Sequence, residues 1–594
     1  VRFGWRGRGG FLAAAAVFVA VLAPLLQFRY GYQAGTNDHL VLSLQGLQWA
    51  IPGFLRSDWF IPAAPQPHVL FDVVTWAGAA NGRLAEVYLA WWLLGLVVAA
   101  AATAVLARAW VPRRPVLASA AVAALLGLGP QTVLGSTTPA LPTALPHELG
   151  GFLGYLAAAL LLTRRPRPAA VAIVATAVVH VQIGAIVAVV GVLAVLVVAL
   201  FERRVWWSVL AGCLVAGAVV AAVLRLRPIT AAPDDFVEIC HDVIPYHCDA
   251  TTWSVGVLTS GFAVVLAALL SVAFVARTGW SGLGVWVAVV VAPAVGLVGG
   301  VLANRYGVPV VGRMAQSTNV FRLAVLVLPF GAWGLVAGFV RLTGWRRVAW
   351  LVPAVAAGYG WLVPRDGNVV LPDDLRRAEI VLGVAAAGVL LRYLPRRVGD
   401  VAGGLVGLAA IGVLVVGAAD LRVLRPRPVN PTFVPDARDR ALGRTIAAHV
   451  PVGEEVLVPP TLGVVRLASG RSIFVDCKAV PYGGPAWREY RERLDALGGR
   501  DSCHSGGHPF LEVTPEGLTS TALRYGARYV LLSARDVVRV DAVQRLGWRP
   551  LLRPESRDRG MWLLAAPGAP DAEAALDAEA AADVTAAAAR PRGG

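Results

Sequence analysis

The chain has 594 residues, 57% of them hydrophobic and 15% charged, with a mean hydropathy of +0.64 and a formal net charge of +16. That apolar balance excludes a soluble globular domain and fits a polytopic membrane protein, mainly α-helical. The positive charge falls at the ends of apolar runs, where it sets orientation and meets anionic lipid of the bilayer, so no nucleic-acid partner is expected.

Taken in chain order, thirteen apolar runs approach the about 20 residues that a membrane-crossing helix needs. They are 10–28, 86–108, 115–133, 148–163, 169–183, 184–202, 206–224, 253–276, 281–303, 319–340, 347–363, 379–394 and 401–420. Every second connection is rich in arginine: Arg2/Arg6/Arg8, Arg108/Arg113/Arg114, Arg164/Arg165/Arg167, Arg203/Arg204, Arg277, Arg341/Arg346/Arg347 and Arg392/Arg396/Arg397. This is the positive-inside pattern; it places the amino terminus in the cytoplasm and, after an odd number of spans in a plasma membrane, the carboxyl terminus outside. The first run has a basic start and no small-x-small cleavage site before Phe28, so it reads as a retained span.

The intervening connections carry the acids, histidines and prolines. The first, 28–85, is too long for a mere link. It holds Gly35-Thr-Asn-Asp38-His39, an amphipathic stretch over 40–55 suited to lying in the membrane interface, and Arg56-Ser-Asp58-Trp59-Phe60. Asp58 and Asp72 are second-choice acids there, and an Asp58→Glu exchange is expected to be tolerated. His147 and Glu148 open the fourth span. His180 and Gln182 mark the tip of a tight helical hairpin between the fifth and sixth spans. His247 lies in the loop before the eighth span. Arg305, Arg313 and Arg322 are cations on the same outer face, and Arg322 falls within the first turn of the tenth span, where a charge needs a partner or a wet cavity.

From residue 421 the texture changes. Residues 421–435 form a Pro/Arg-rich linker, 436–567 alternate helical and strand-like runs as in a small α/β layered domain, and 568–594 read as a disordered tail. Helices are expected over 438–449, 485–497 and 518–525, and strands over 455–458, 472–476, 528–532, 550–551 and 561–564. Cys213 lies inside the seventh span. Cys240, Cys248, Cys477 and Cys503 all fall on the oxidising side, which predicts the disulfides Cys240–Cys248 and Cys477–Cys503. The neighbouring histidines have no standard zinc spacing.

An acid at the mouth of the first span, followed by an interfacial helix, resembles the GT-C superfamily of membrane glycosyltransferases. The chain is similar to a bacterial group within it, actinobacterial by its Ala/Arg/Gly/Val-rich composition with Lys478 as the single lysine. The shared features are Asn37-Asp38 after the first span, a hairpin bearing His180, an aromatic/His loop before the eighth span, and Arg471-Ser-Ile-Phe-Val-Asp476-Cys-Lys478 followed by Trp487-Arg488. Where related chains tend to show a Pro-His-His-like element, this one reads Cys240-His241-Asp242-Val-Ile-Pro245-Tyr246-His247-Cys248.

The resemblance implies transfer of a sugar from a polyprenyl phosphate to an envelope glycan, lipid or protein. Such transfer needs a base for the acceptor hydroxyl and cations for the leaving phosphate. Asp38 is the expected base, Arg305, Arg313 and Arg322 are the expected phosphate partners, and His39, Asp58, His147, Glu148, His180, Gln182 and His247 are the other expected substrate contacts. No cofactor motif is present; a divalent metal, Mg or Mn, stays open at the acid. Asp38 also resembles a helix N-cap, and Asp476, Lys478 and Trp487 read as structural or acceptor-facing. Two other classes compete: a transporter or flippase for a lipid-linked precursor, and a non-catalytic scaffold with the same fold. Clustering of the polar residues at one face, rather than at mid-membrane, argues against the transporter.

Overall fold

The computed structural model describes residues 5–129, 132–227, 233–276, 278–340, 432–504, 508–554 and 560–570. The last three expected spans, 347–363, 379–394 and 401–420, lie outside the described residues, as do most of the linker and the tail beyond 570. The chain divides into two compact units. The first comprises Val1–Tyr32, Leu89–Leu226 and Ile244–Asn430, and the second Gln33–Tyr88, Arg227–Val243 and Pro431–Gly594. The sequence reading kept the first loop with the spans. The structure counts it, with 227–243, in the same unit as the carboxyl-terminal domain.

Each of the ten remaining expected spans meets a helix. The helices are Trp5–Arg29, Leu84–Trp110, Pro115–Leu128, Pro146–Leu162, Pro166–Val179, Val181–Glu202, Trp207–Leu226, Val255–Leu270, the pair Gly279–Trp286 and Ala292–Arg305 joined by a π-turn, and Ala324–Val340. Pro115, Pro146 and Pro166 each open their helix, where a missing N–H costs nothing and the fixed φ already suits the first turn. Among the described residues six helical stretches are long and apolar enough to cross a membrane, and Pro115–Leu128 and Pro166–Val179 are shorter apolar helices. Helix Pro115–Leu128 stops early because Gly129 leaves the helical conformation. A two-strand hairpin follows, β1 (Thr132–Val133) and β2 (Ser136–Thr137).

Within the first unit, Arg164 pairs with Glu202 at 2.6 Å and donates to Ser281 Oγ at 2.7 Å, so three of the expected cytoplasmic connections meet at one end. His180 alone separates helix Pro166–Val179 from Val181–Glu202, a tighter hairpin than the expected 180–184 link. Gly184 permits it: a Cβ there would stand 2.2 Å from the Cα of Ala177 on the facing helix.

The second unit joins a helical first loop to a sheet. The loop folds as short helices His39–Leu42, Leu44–Ala50 and Phe60–Ala63 and a longer one, Val69–Ala80. The last sets Asp72 and Thr75 among apolar residues. The sheet has strands β3 (Glu455–Leu457), β4 (Ser472–Ile473), β5 (Tyr529–Ser533), β6 (Arg549–Leu552) and β7 (Met561–Ala565), in the order β4-β3-β5-β7-β6. β3 runs parallel to β4 and β5, and β7 antiparallel to β5 and β6. Parallel neighbours need crossovers, which helices Val464–Ser469 and Gly484–Ala496 help supply. One core forms over the sheet from Ile446, Val456, Ile473, Tyr529, Leu531 and Leu563. A second forms where Leu44, Leu47, Phe60 and Ile61 of the first loop meet Val434, Leu467 and Ala479.

Candidate functional site

In the second unit, Asn37 takes a left-handed conformation at φ 50°, which asparagine tolerates better than most residues, and turns the chain into helix His39–Leu42. Asp38 is the N-cap residue of that helix, yet its side chain makes no cap hydrogen bond. Its carboxylate instead lies 2.6 Å from Lys478 Nζ, with the two side chains 39% and 32% exposed. The chain's only lysine therefore faces the acid expected to act as base.

A buried cation holds the backbone around this pair. Arg466 on helix Val464–Ser469 is wholly buried. Its Nε donates to Asp58 Oδ2 at 3.0 Å, and its Nη1 donates to Asp476 Oδ2. Asp58 Oδ1 accepts from the backbone N–H groups of Phe60 and Ile61 at 3.1 and 3.3 Å. Asp476 Oδ1 accepts from the N–H groups of Lys478 and Ala479, both at 2.7 Å. Burial raises the Asp58 carboxyl above its ordinary range against the pull of Arg466, and the nearby Asp476 adds to the rise. Asp58 thus braces the first loop from inside, and at 3% exposure its described partners are Arg466 and the backbone of Phe60 and Ile61.

The Arg-x-x-x-Val-Asp-x-Lys element divides its work. Arg471 donates to the carbonyls of Val450 and Ala447 and so satisfies the end of helix Ala437–His449. Asp476 ties to Arg466. Lys478 reaches Asp38. The expected disulfide Cys477–Cys503 is present, with Cα atoms 5.5 Å apart, and Cys240 and Cys248 are also disulfide-bonded. Trp487 Nε1 donates to Glu238 at 2.9 Å, which gives that tryptophan a structural place beside helix Pro233–Asp242.

His39 is also wholly buried. Its Nδ1 lies 3.0 Å from Ser43 Oγ, which in turn is 2.9 Å from Tyr88 Oη, and its ring packs against Tyr88 and Phe71. It supports the helix that Asp38 begins and does not face outward. Asp72 pairs with Arg227 at 2.5 Å, and burial pushes its carboxyl up to about 7 despite that cation.

The remaining expected contacts belong to the first unit and gather at one end of it. His247 Nδ1 lies 2.8 Å from the carbonyl of Gly135, in the turn between β1 and β2. That turn requires glycine, with φ +81° and an added Cβ only 2.2 Å from the His247 carbonyl. Gln316 Nε2 donates to Cys248 O at 3.2 Å, and Arg305 Nη1 donates to the carbonyls of Ala250 and Trp253 at 2.9 and 3.3 Å. Gln182 Nε2 donates to Thr318 O at 3.1 Å. His180 caps its helix by accepting from Ile183 N at 3.3 Å, and it packs under Gly150 of helix Pro146–Leu162. His147 and Glu148 are buried, and Glu148 accepts from the N–H groups of Thr143 and Leu145 at 3.2 Å each.

Most of these polar groups therefore hold loops and helix starts in place. Arg305 braces the 250–253 carbonyls, and Arg313 stands exposed on helix Pro309–Ser317. Arg322 differs from them. It is half-buried, and its guanidinium has no hydrogen-bond or ion-pair partner among the described residues. Its backbone N–H shares the carbonyl of Asn319 with Gln182.

Among the described residues no three His, Cys, Asp or Glu side chains gather so as to hold a metal ion. Asp38 has a cation, Lys478, at 2.6 Å. These residues do not fit a resident Mg or Mn.

Residues 437–497 match a family described as a domain of unknown function (DUF6798). That stretch carries Arg466, Arg471, Asp476 and Lys478. No curated protein matches the chain. Among solved structures, the crystal structure of ArnT from Cupriavidus metallidurans in the apo state is similar at 16% identity and a TM-score of 0.44, over 93% of this chain and 97% of that one.

Proposed function

We propose that this protein is a membrane glycosyltransferase of GT-C type. It moves a sugar from a polyprenyl-phosphate donor to an envelope acceptor on the extracytoplasmic face of the plasma membrane. The observation that carries the reading is the Asp38 carboxylate: partly exposed, not engaged in capping its helix, and 2.6 Å from the chain's only lysine. In the reaction the acceptor hydroxyl attacks the anomeric carbon, its proton passes to Asp38, and the bond to the phosphate oxygen breaks with the electron pair leaving on the phosphate. A cation is needed where that charge develops. Arg322 stays the expected phosphate partner from the sequence, to be tested apart from Asp38.

The topology belongs to the same proposal. Arginine-rich connections mark the cytoplasmic side, and Cys240, Cys248, Cys477 and Cys503 are all disulfide-bonded, as an oxidising compartment favours. A reporter active only in the cytoplasm, fused after Pro567, should be silent; strong activity would overturn the topology.

The direct test offers membranes containing the protein a panel of radiolabelled polyprenyl-phosphate sugars. Transfer from at least one donor is expected, with Arg322→Gln raising the donor concentration needed for half-maximal rate. No transfer from any donor would move the reading to a non-catalytic scaffold. Movement of intact donor across the bilayer without transfer would favour the flippase.

A further inference from the structure

We infer that Arg466 is a positioning residue: through Asp476 it fixes the turn that presents Lys478 to Asp38. Its relevance to catalysis rests on the reading of Asp38 as the base, whereas the geometric claim stands apart from it.

Arg466 pairs with Asp58 and Asp476 rather than with Asp38 or Lys478 themselves. It acts through two carboxylates. One oxygen of Asp476 receives its Nη1, and the other receives the N–H of Lys478 at 2.7 Å. Asp58 receives Nε at 3.0 Å and fixes the first-loop backbone at Phe60 and Ile61. A single guanidinium thus ties the segment that follows Asp38 to the turn that carries Lys478, residues far apart in sequence. Arg466 also lies over the Phe60 ring at 5.6 Å, which limits its rotation.

Stability alone accounts poorly for this arrangement. Two buried acids share one cation, and Arg466 Nη2 is buried with no hydrogen-bond partner among the described residues. Apolar side chains of similar volume often serve a core at least as well as a buried ion triad. What the triad supplies is a fixed geometry between two chain segments. A forked guanidinium can do this, whereas the single point charge of a lysine cannot.

The test follows Lys478, the only lysine of the wild-type chain, and peptide mapping keeps it apart from the second amine in Arg466→Lys. The full-length protein in detergent is treated with an amine-reactive acylating reagent at mildly alkaline pH, and modification of Lys478 is followed by peptide mass mapping. In the wild type the ion pair with Asp38 slows acylation. Asp38→Asn, which removes the pair directly, should raise the rate about threefold to fivefold, the range an exposed ion pair can supply. Arg466→Lys and Asp476→Asn should approach that faster rate. Either of them combined with Asp38→Asn should add nothing further, because both act on the same contact. Arg491→Ala, which breaks an exposed pair with Glu238 in the same unit, should leave the rate unchanged. If Arg466→Lys fails to fold, Asp476→Asn carries the test alone. Wild-type acylation rates in the folded Arg466→Lys and Asp476→Asn proteins would overturn the positioning role, whether or not the protein transfers sugar. Wild-type rates in Asp38→Asn would show that the pair does not form. Altered acylation with no transfer by the wild type would leave the positioning intact and refute the glycosyltransferase reading.

Discussion

The two units keep their charges in opposite ways. In the first, the pair Arg164–Glu202 joins two helix ends, each side chain one-third exposed. In the second, guanidinium groups lie inside: Arg466 is 0% exposed, Arg493 7% and Arg539 6%. Arg493 meets Glu455 at 2.8 Å and packs against the rings of Trp59, Phe474 and Tyr525. Arg466 has two acids of its own. The difference teaches that a charge enters an interior only with its counter-charges built around it. The apolar helices of the first unit offer few such partners. The first loop and the carboxyl-terminal sheet of the second supply them from distant parts of the chain.

The largest break of that contrast is Arg466→Met. It leaves Asp58 and Asp476 buried without their cation, and the expected cost is about 3–5 kcal/mol. Thermal unfolding in detergent, with limited proteolysis, should show the second unit weakened while the protein still inserts in membranes. A wild-type melting profile would mean that the triad does not hold this unit together.

Asp58→Glu comes next. The sequence alone suggests tolerance, since both residues are acids. In the structure Asp58 is closed in on every side, so an added methylene should cost about 1–3 kcal/mol by overpacking. The same melting assay checks it, and an unchanged midpoint would restore the simpler expectation.

A smaller effect depends on pH. Asp72 titrates near 7 in the fold, against 3.8 ordinarily, because burial disfavours its charged form. The folded state therefore binds the proton more tightly than the unfolded one. Its contribution is fully present below about 4 and is lost as pH rises through about 7. Asp72→Asn should flatten that part of the stability profile; an identical slope in the variant would place the titration elsewhere. The smallest effect belongs to the first unit: Arg164→Ala should change stability by no more than about 1 kcal/mol, since the pair it breaks is open to solvent. A larger loss would erase the contrast between the units.

Legibility in the sequence followed the same division. The apolar runs announced themselves, because a membrane helix must be apolar over its whole length, and ten of them meet helices. The sheet domain was also readable: β3, β5 and β7 fall within a residue or so of the runs of β-branched and aliphatic residues that suggested them. Helix Val69–Ala80 does not stand out in the sequence because its 12 residues are too few for a span and lie inside a long connection. The joining of the first loop to the carboxyl-terminal part depends on pairings between residues hundreds of positions apart, which no local pattern records.

The site divides likewise. Asp38 stands out through its place after the first span, and the sequence reads its partner Lys478 as structural or acceptor-facing. Arg466 was missed altogether. A signal was present: an arginine set among Leu462, Val464, Val465 and Leu467 falls on the inward side of its helix. Histidines and Glu148 at the ends of spans looked like substrate contacts, because polar groups at membrane depth default to function. Capping and mutual pairing are the other reading of these groups, and the structure describes a helix cap at His180 and a loop brace at Glu148.

The most direct test of the account compares Asp38→Asn with the wild type in sugar transfer, at equal amounts of folded, membrane-inserted protein and saturating donor. The substitution keeps the shape of the side chain and removes its charge, and with it both its basicity and the ion pair with Lys478. The rate should fall by about two to four orders of magnitude, the usual worth of general base catalysis. Undiminished transfer by Asp38→Asn would contradict the assignment of Asp38 as the base.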